Sequence, residues 1–256
     1  VKISLVSKVR DYAPTFLVGI SLLLIWEIVV KAFSISKWLL PSPSMVAITI
    51  FKDRGMLLQH SIRTLEEASV GLGLAVLTGL LLGGLIFYYR PLKRTIYPFL
   101  VISQTIPIIV LIPLLVMWMG FGIAPKLVIV TLACFFPVAV NTVDGLATAD
   151  EDKISLLRSM GATSWQTFRL VQVPSALPQI LSGIRIGATY AIMAAVVAEW
   201  MGSDQGLGVF IVRASNSFRT DRVFAGIVLV SFFSILFFQS VNLLQKWLTS
   251  WAQEET

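Results

Sequence analysis

The sequence predicts an all-α polytopic membrane protein with six transmembrane helices, on three observations. Of 256 residues, 56% are hydrophobic and only 13% are charged, against about a quarter charged in an ordinary soluble domain. Mean hydropathy is +0.84. The apolar residues fall in continuous runs near the ~20 residues a spanning helix needs, whereas barrel strands alternate over about ten. So few charges cannot clothe a soluble core of this size, and a disordered chain would be poor in apolar residues. A single cysteine, Cys134, excludes a disulfide scaffold.

The spans follow in chain order, read as one transmembrane domain over residues 1–256. The first is about Pro14 to Phe33. It follows Lys2, Lys8 and Arg10, yet it is longer than the roughly 7–15 residues of a signal-peptide core. Glu27 and Lys31 are four apart on it and form a helical ion pair. The second, about Leu65 to Tyr89, carries Gly71, Gly73, Gly79, Gly83 and Gly84, a small-residue stripe for close helix contact. The third, about Ile96 to Met119, holds Pro98, Pro107 and Pro113, each of which removes a ladder hydrogen bond. Backbone freed at membrane depth must face protein or a wet cavity. Gln104, Thr105 and Pro107 are read either as lining a translocation path or as part of a kinked structural helix.

The fourth span, about Ile123 to Val143, ends in Pro137, Asn141, Thr142 and Asp144, and Asn141 joins the candidate path. The fifth, about Leu181 to Met201, repeats the small-residue pattern with Gly183, Gly187 and a run of alanines. Near its end Glu199 is an ionisable group at membrane depth, read either as functional, on the candidate translocation path, or as hydrated at the interface or paired with an arginine. The sixth is about Val223 to Leu248. Arg90, Lys93 and Arg94 crowd one short connection, while the stretch Gly120 to Lys126 has one basic residue. By the positive-inside rule both termini are cytoplasmic. The net charge of +6 serves that topology; no basic helix face and no Lys/Arg run beyond Lys93-Arg94 points to nucleic acid.

Between the fourth and fifth spans, about residues 147–179, lies a cytoplasmic loop too long for a hairpin and too polar to span. Asp150 or Asp152 caps a short helix through Ser159, whose Ile154, Leu157 and Met160 form an apolar stripe. Gly161 ends it. Thr163 and Gln166 have capping-box spacing for a second short helix with Trp165, Phe168 and Val171, which Pro174 and Pro178 are expected to stop. Apolar and aromatic groups kept exposed on such an elbow fit a docking element for a soluble partner. An amphipathic hairpin resting on the membrane is the other reading.

The stretch from Ser155 through Phe168, with Val171-Gln172-Val173-Pro174, resembles the "EAA" loop of binding-protein-dependent ABC importer permeases. That pattern is E-A-A, three residues, G, nine residues, I-x-L-P. Gly161 and Pro174 match in register, while Ser155, Leu156 and Leu157 replace E-A-A. Leu40-Pro41-Ser42-Pro43, Phe136-Pro137-Val138, Ala176-Leu177-Pro178, Ala198-Glu199 and Gly206-Leu207-Gly208 are similar to the nitrate/sulfonate/taurine branch, which includes permeases for a thiamine pyrimidine precursor. The resemblance implies a homodimer in the bacterial cytoplasmic membrane, two cytoplasmic ATPase subunits and an extracytoplasmic solute-binding protein. It implies that Ser155, Leu156, Leu157, Arg158, Met160, Gly161, Ala162, Trp165 and Pro174 form the coupling loop.

No G-x-x-x-x-G-K-[ST] phosphate loop is present, so ATP and Mg are expected on the partner ATPase. The one histidine, His60, has no evident second ligand, and no nucleophile–base pair stands out, so neither a metal site nor catalysis by this chain is expected. The rivals are an ATP-independent carrier or channel, with Glu199 and the third-span prolines as its ion site, and a membrane scaffold without transport.

Overall fold

The computed structural model describes residues 5–249, with side chains from residue 14 onward except Arg90; the basic start at Lys2 lies outside the described residues. The described residues are helical, with no strand among them. The helices are α1 (Leu5–Ala32), α2 (Pro43–Lys52), α3 (Arg54–Tyr88), α4 (Arg90–Ser103), α5 (Ile108–Met119), α6 (Ala124–Ala147), α7 (Glu151–Ser159), α8 (Ser164–Thr167), α9 (Val173–Ala198), α10 (Leu207–Asn216) and α11 (Thr220–Leu248). Five helical runs are long and apolar enough to cross a bilayer. A sixth crossing exists if the pair α4–α5 counts as one broken span.

That pair falls on the third span, where the prolines were expected to interrupt the helix. The chain bends by 98° between the two helices. Only Pro107 marks the break; Pro98 and Pro113 sit inside α4 and α5. The break is closed by short-range bonds instead of a helical ladder: the Ile102 carbonyl accepts from both the amide (3.0 Å) and the hydroxyl (2.7 Å) of Thr105. Such self-satisfaction lets irregular backbone persist at membrane depth.

A correction concerns the prolines after the elbow. Pro174 and Pro178 do not stop a short helix. Ser164–Ala198 is one continuous run, with a π-helical turn at Phe168–Gln172 joining α8 to α9. In that turn the Val173 amide bonds the Phe168 carbonyl, five residues back. The wider turn gives Pro174 room at the start of α9, where its missing N–H costs least. The second spanning helix also begins earlier than its apolar run, at Arg54, and α2 and α10 are short apolar helices outside the six predicted spans.

The chain forms two compact units. One takes residues 1–58 and 210–228. There Glu27 pairs with Lys31 at 2.7 Å, as the spacing predicted, and also accepts from the Ser44 amide (2.9 Å) and hydroxyl (2.7 Å). Thus one carboxylate ties α1 to the first turn of α2, where N-terminal amides favour negative charge. Arg222 pairs with Asp53 at 2.8 Å, and Trp26 packs on Phe224 with ring centroids 5.4 Å apart.

The larger unit takes residues 59–209 and 229–256. Its axis is α6, clasped between α3 and α9. Glycine decides both contacts. A Cβ on Gly79 would lie 2.7 Å from Val138 Cγ1, and one on Gly83 would lie 2.7 Å from Thr142 Cβ. From the other side, a Cβ on Gly183 would lie 2.6 Å from the Pro137 carbonyl. Real Cβ atoms do not approach so closely, so these small residues set the helix spacing. Gly73 and Gly84 belong to the same sequence stripe but face open space. The Cys134 thiol donates to the Gly187 carbonyl at 3.1 Å across the α6–α9 seam.

Candidate functional site

Three features of the larger unit are candidates: an exposed elbow at one end, a cavity along α6 and α9, and a buried polar clamp at the opposite end.

The elbow forms from local signals. Asp150 caps α7, its carboxylate accepting from the amides of Asp152 (2.9 Å) and Lys153 (3.4 Å). Glu151 and Asp152 add negative charge to the same positive helix end. Gly161 turns the chain with φ +86°, where a side chain would be strained. Thr163 and Gln166 then form the expected capping box, the Gln166 amide donating to Thr163 Oγ1 at 3.3 Å and the Thr163 amide to Gln166 Oε1 at 2.8 Å. Leu156 is 61% exposed, Met160 75% and Trp165 67%. Trp165 stacks on Phe168 at 5.6 Å, so its ring is held in place and still presented outward. Ser155, Arg158 and Ala162 share this surface region, Leu157 is half-buried, and Pro174 lies at the start of α9. An apolar patch held out on a rigidly capped turn suits a partner, because exposure without one is unfavourable.

The cavity has a volume of about 620 Å³, within the range of ligand pockets. It is lined by the α4–α5 bend with α6 and α9. Gln104 and Asn141 line it, as does Pro137; Thr105, Pro107 and Glu199 are not among the lining residues. Phe136, Tyr190 and Met193, which the sequence did not place on a path, also line it. The regular ladder partner of the Ala133 carbonyl would be residue 137, and proline cannot donate; both residues line the cavity. The Asn141 amide group donates to the Pro137 carbonyl at 2.7 Å, holding the Asn141 side chain against its own helix.

The clamp centres on Glu199. It is fully buried, and it is neither hydrated at an interface nor paired with an arginine among the described residues. Its carboxylate accepts from Thr64 Oγ1 at 2.6 Å and from the Gly208 amide at 2.6 Å. The Leu207 amide donates to Thr64 Oγ1 at 2.9 Å, and the Gly206 amide to His60 Nδ1 at 2.9 Å. Three successive amides at the start of α10, which a helix leaves without internal partners, are thus met by side chains from α3 and α9. His60, Thr64 and Glu67 are spaced four and three apart, on one face of α3. Glu67, also fully buried, accepts from Lys126 Nζ at 2.8 Å and pairs with Arg63 at 3.1 Å. Lys126 Nζ donates as well to Ser203 Oγ at 2.6 Å. Lys126, read from the sequence as a loop charge, is therefore a buried tie between α6, α3 and the segment after α9. No group of three metal-ligating side chains occurs among the described residues.

The family described as binding-protein-dependent transport system inner membrane component matches residues 75–250. Among curated relatives, a formylaminopyrimidine transport permease protein of Halalkalibacterium halodurans is 39% identical over 235 residues, covering 91% of this chain and 94% of the relative. A riboflavin transport system permease protein of Chloroflexus aurantiacus is 32% identical, covering 90% and 87%. The taurine transport system permease protein of Escherichia coli K12 is 31% identical, covering 91% and 87%. Among solved structures, an inward-facing conformation of the MetNI methionine ABC transporter superposes with a TM-score of 0.67 at 22% identity, covering 77% of this chain and 97% of that one.

Proposed function

Since the chain belongs to the family of binding-protein-dependent transport system inner membrane components, and is a transmembrane permease subunit of an ABC importer, we propose that α7 and its Gly161 turn are the handle by which a separate ATPase drives it. The exposed Leu156, Met160 and Trp165 on the doubly capped elbow are the observation that carries this reading. In this scheme ATP and Mg bind the partner chain, and closure of a pair of ATPases displaces α7. Leu156, Leu157 and Met160 anchor it in a groove of the partner, with Ser155 and Arg158 at the rim.

The displacement has a path inward. From Ser164 the chain is helical without interruption to Ala198. At 1.5 Å per residue, Tyr190 lies roughly 40 Å along that run from the elbow. A rigid rod of this length carries a shift of the handle to the wall of the cavity, the kind of element alternating access requires. Two copies of the chain, each gripped by one ATPase, would enclose a central path. An extracytoplasmic solute-binding protein would deliver the solute to the end opposite the elbow. Membership supports that assembly, and it supports a bacterial cytoplasmic membrane with both termini on the ATPase side. The solute is a small nutrient of the kinds named for the relatives: a pyrimidine or other heterocycle, or a sulfonate.

Co-purification and transport test this together. The permease expressed with its ATPase and binding protein should hydrolyse ATP faster when loaded binding protein is added. Gly161→Val should leave insertion intact and abolish ATP-driven uptake, because φ +86° is closed to a β-branched residue. Uptake at the wild-type rate would sink the docking role. Uptake that needs no ATPase would instead favour an autonomous carrier.

A further inference from the structure

The importer reading leaves the solute open, and the following rests on that reading. We propose that the cavity lined by the α4–α5 bend, α6 and α9 admits an uncharged planar nitrogen heterocycle and excludes anionic solutes, with Gln104 and Tyr190 as the recognition contacts.

The walls are mainly apolar and include the aromatic rings of Phe136 and Tyr190, while no Asp, Glu, Lys, Arg or His lines the cavity. A sulfonate or carboxylate stripped of water there would need a cation, since a desolvated charge without one is strongly disfavoured. The basic side chains on α6 and α9, Lys126 and Arg185, are committed elsewhere, and Lys93 and Arg94 of α4 lie ten or more residues before Gln104 and do not line the cavity. Arg185, next to the lining residue Ile186, holds its guanidinium 5.7 Å from the Phe238 ring centroid on α11. Lys126 is bound to Glu67 and Ser203, and Arg63 to Glu66 and Glu67.

A neutral heterocycle meets a better match. Aromatic faces accept ring stacking. Gln104 and Tyr190 make no side-chain hydrogen bond to any described residue, so an amide and a phenol are free to read ring nitrogens and exocyclic groups. Ile108 and Ile109, which also line the cavity, begin α5, where no side chain caps the amides. These amides offer partial positive charge, about half an elementary charge at a helix start. That suits a carbonyl or ring-nitrogen acceptor and falls short of neutralising a full anion.

The test reads the cavity without the binding protein, whose own selectivity would otherwise dominate. The permease with its ATPase, nucleotide-free in nanodiscs, is probed by saturation-transfer NMR with 4-aminopyrimidine and, separately, with taurine at equal millimolar concentration. Transfer is expected to the pyrimidine ring protons and not to the taurine methylenes. In Gln104→Leu/Tyr190→Phe, with unchanged helicity and elution volume, the pyrimidine affinity should fall about tenfold or more, as loss of buried hydrogen bonds implies. Equal or stronger transfer to taurine, no transfer to the pyrimidine, or an undiminished signal in the double variant would each overturn the proposal. Failure of the importer reading shows separately, as absence of ATP-driven uptake of any solute with the full complex.

Discussion

Replacing Gly206 with alanine tests whether the buried carboxylate of Glu199 holds the segment after α9. The added Cβ would overlap the Glu199 carboxyl group, and Gly206 has φ +129°, a conformation that side chains rarely adopt. Backbone strain of this kind costs about 1–3 kcal/mol. Displacing the carboxylate weakens its bonds from Thr64 and Gly208, and hydrogen bonds to charged groups are each worth roughly 1.5–3 kcal/mol. If one of those bonds is lost along with the strain, the total is about 4 kcal/mol, which at about 2–4 °C per kcal/mol lowers the melting temperature by ~8–16 °C for a chain of this length. The assay is thermal unfolding of the purified permease–ATPase complex, read by intrinsic tryptophan fluorescence. Gly73→Ala is the control: nothing lies within 4 Å of its added Cβ, so the melt should hold or rise slightly, since alanine outranks glycine in a helix by about 0.5–1 kcal/mol. If Gly206→Ala melted within about a degree of wild type, the carboxylate would not be clamping this segment.

Three further outcomes follow. Gly83→Leu should prevent stable assembly, because even a Cβ there lies 2.7 Å from Thr142 Cβ and 2.9 Å from the Ala139 carbonyl, while Gly84→Ala, facing open space, should express normally by size-exclusion chromatography. Lys126→Ala should destabilise by about 3 kcal/mol, the low end for breaking a buried pair because Arg63 still faces Glu67; Lys126→Met with Glu67→Gln should recover much of it in the same melt. Pro174→Ala restores a donor where the π-turn now accommodates its absence. Closing that turn to regular α-helix would rotate the elbow by about 100° relative to α9. Cross-linking yield from Trp165-region cysteines to the ATPase should fall, and an unchanged yield would show that the π-turn does not set the elbow's direction.

Five spans and the broken pair α4–α5 were legible because the bilayer imposes one length and one polarity on every crossing. The elbow was legible because its causes are local: Asp150, Gly161 and the Thr163–Gln166 pair each act within a few residues. The start of α3 was hidden by the same rule that revealed its end. The apolar run begins only near Leu65, yet the helix begins at Arg54, and within it Glu67 is neutralised by Lys126, which is 59 residues away. Glu199 was conspicuous as an isolated acid, but its partners lie at Thr64 and Gly208. The available signal was the His60, Thr64, Glu67 spacing on one face of α3, which is meaningless until α10 is known to begin beside it. Of the proposed path residues, Gln104 and Asn141 reach the cavity and Thr105, Pro107 and Glu199 do not. The difference is one of helix face at a bend, and proline spacing locates a break without fixing its direction.

The two ends of the α6–α9 pair are built differently, and the difference is mechanical. At one end buried charges and amides are paired across segments: Glu67, Lys126, Glu199 and the first turn of α10 each have partners from other segments. Such a network yields only by breaking several bonds together, so it is a fixed point. At the other end the elbow is held by bonds within itself, and its connection to the core runs through Phe168 and Val173 packed against Leu146, Ala176 and Ile180. Apolar packing permits sliding at lower cost than a cross-linked polar network. Under the proposed coupling, a force applied at Met160 or Trp165 would tilt the rod Ser164–Ala198 together with α6, which Gly145 and Gly183 hold against it, about the clamped end. Tyr190 and Met193 lie within three turns of that end, so a large movement of the handle becomes a small one at the cavity. A small displacement suffices to change which side chains face a solute, whereas a large one would separate glycine-spaced helices that depend on contact.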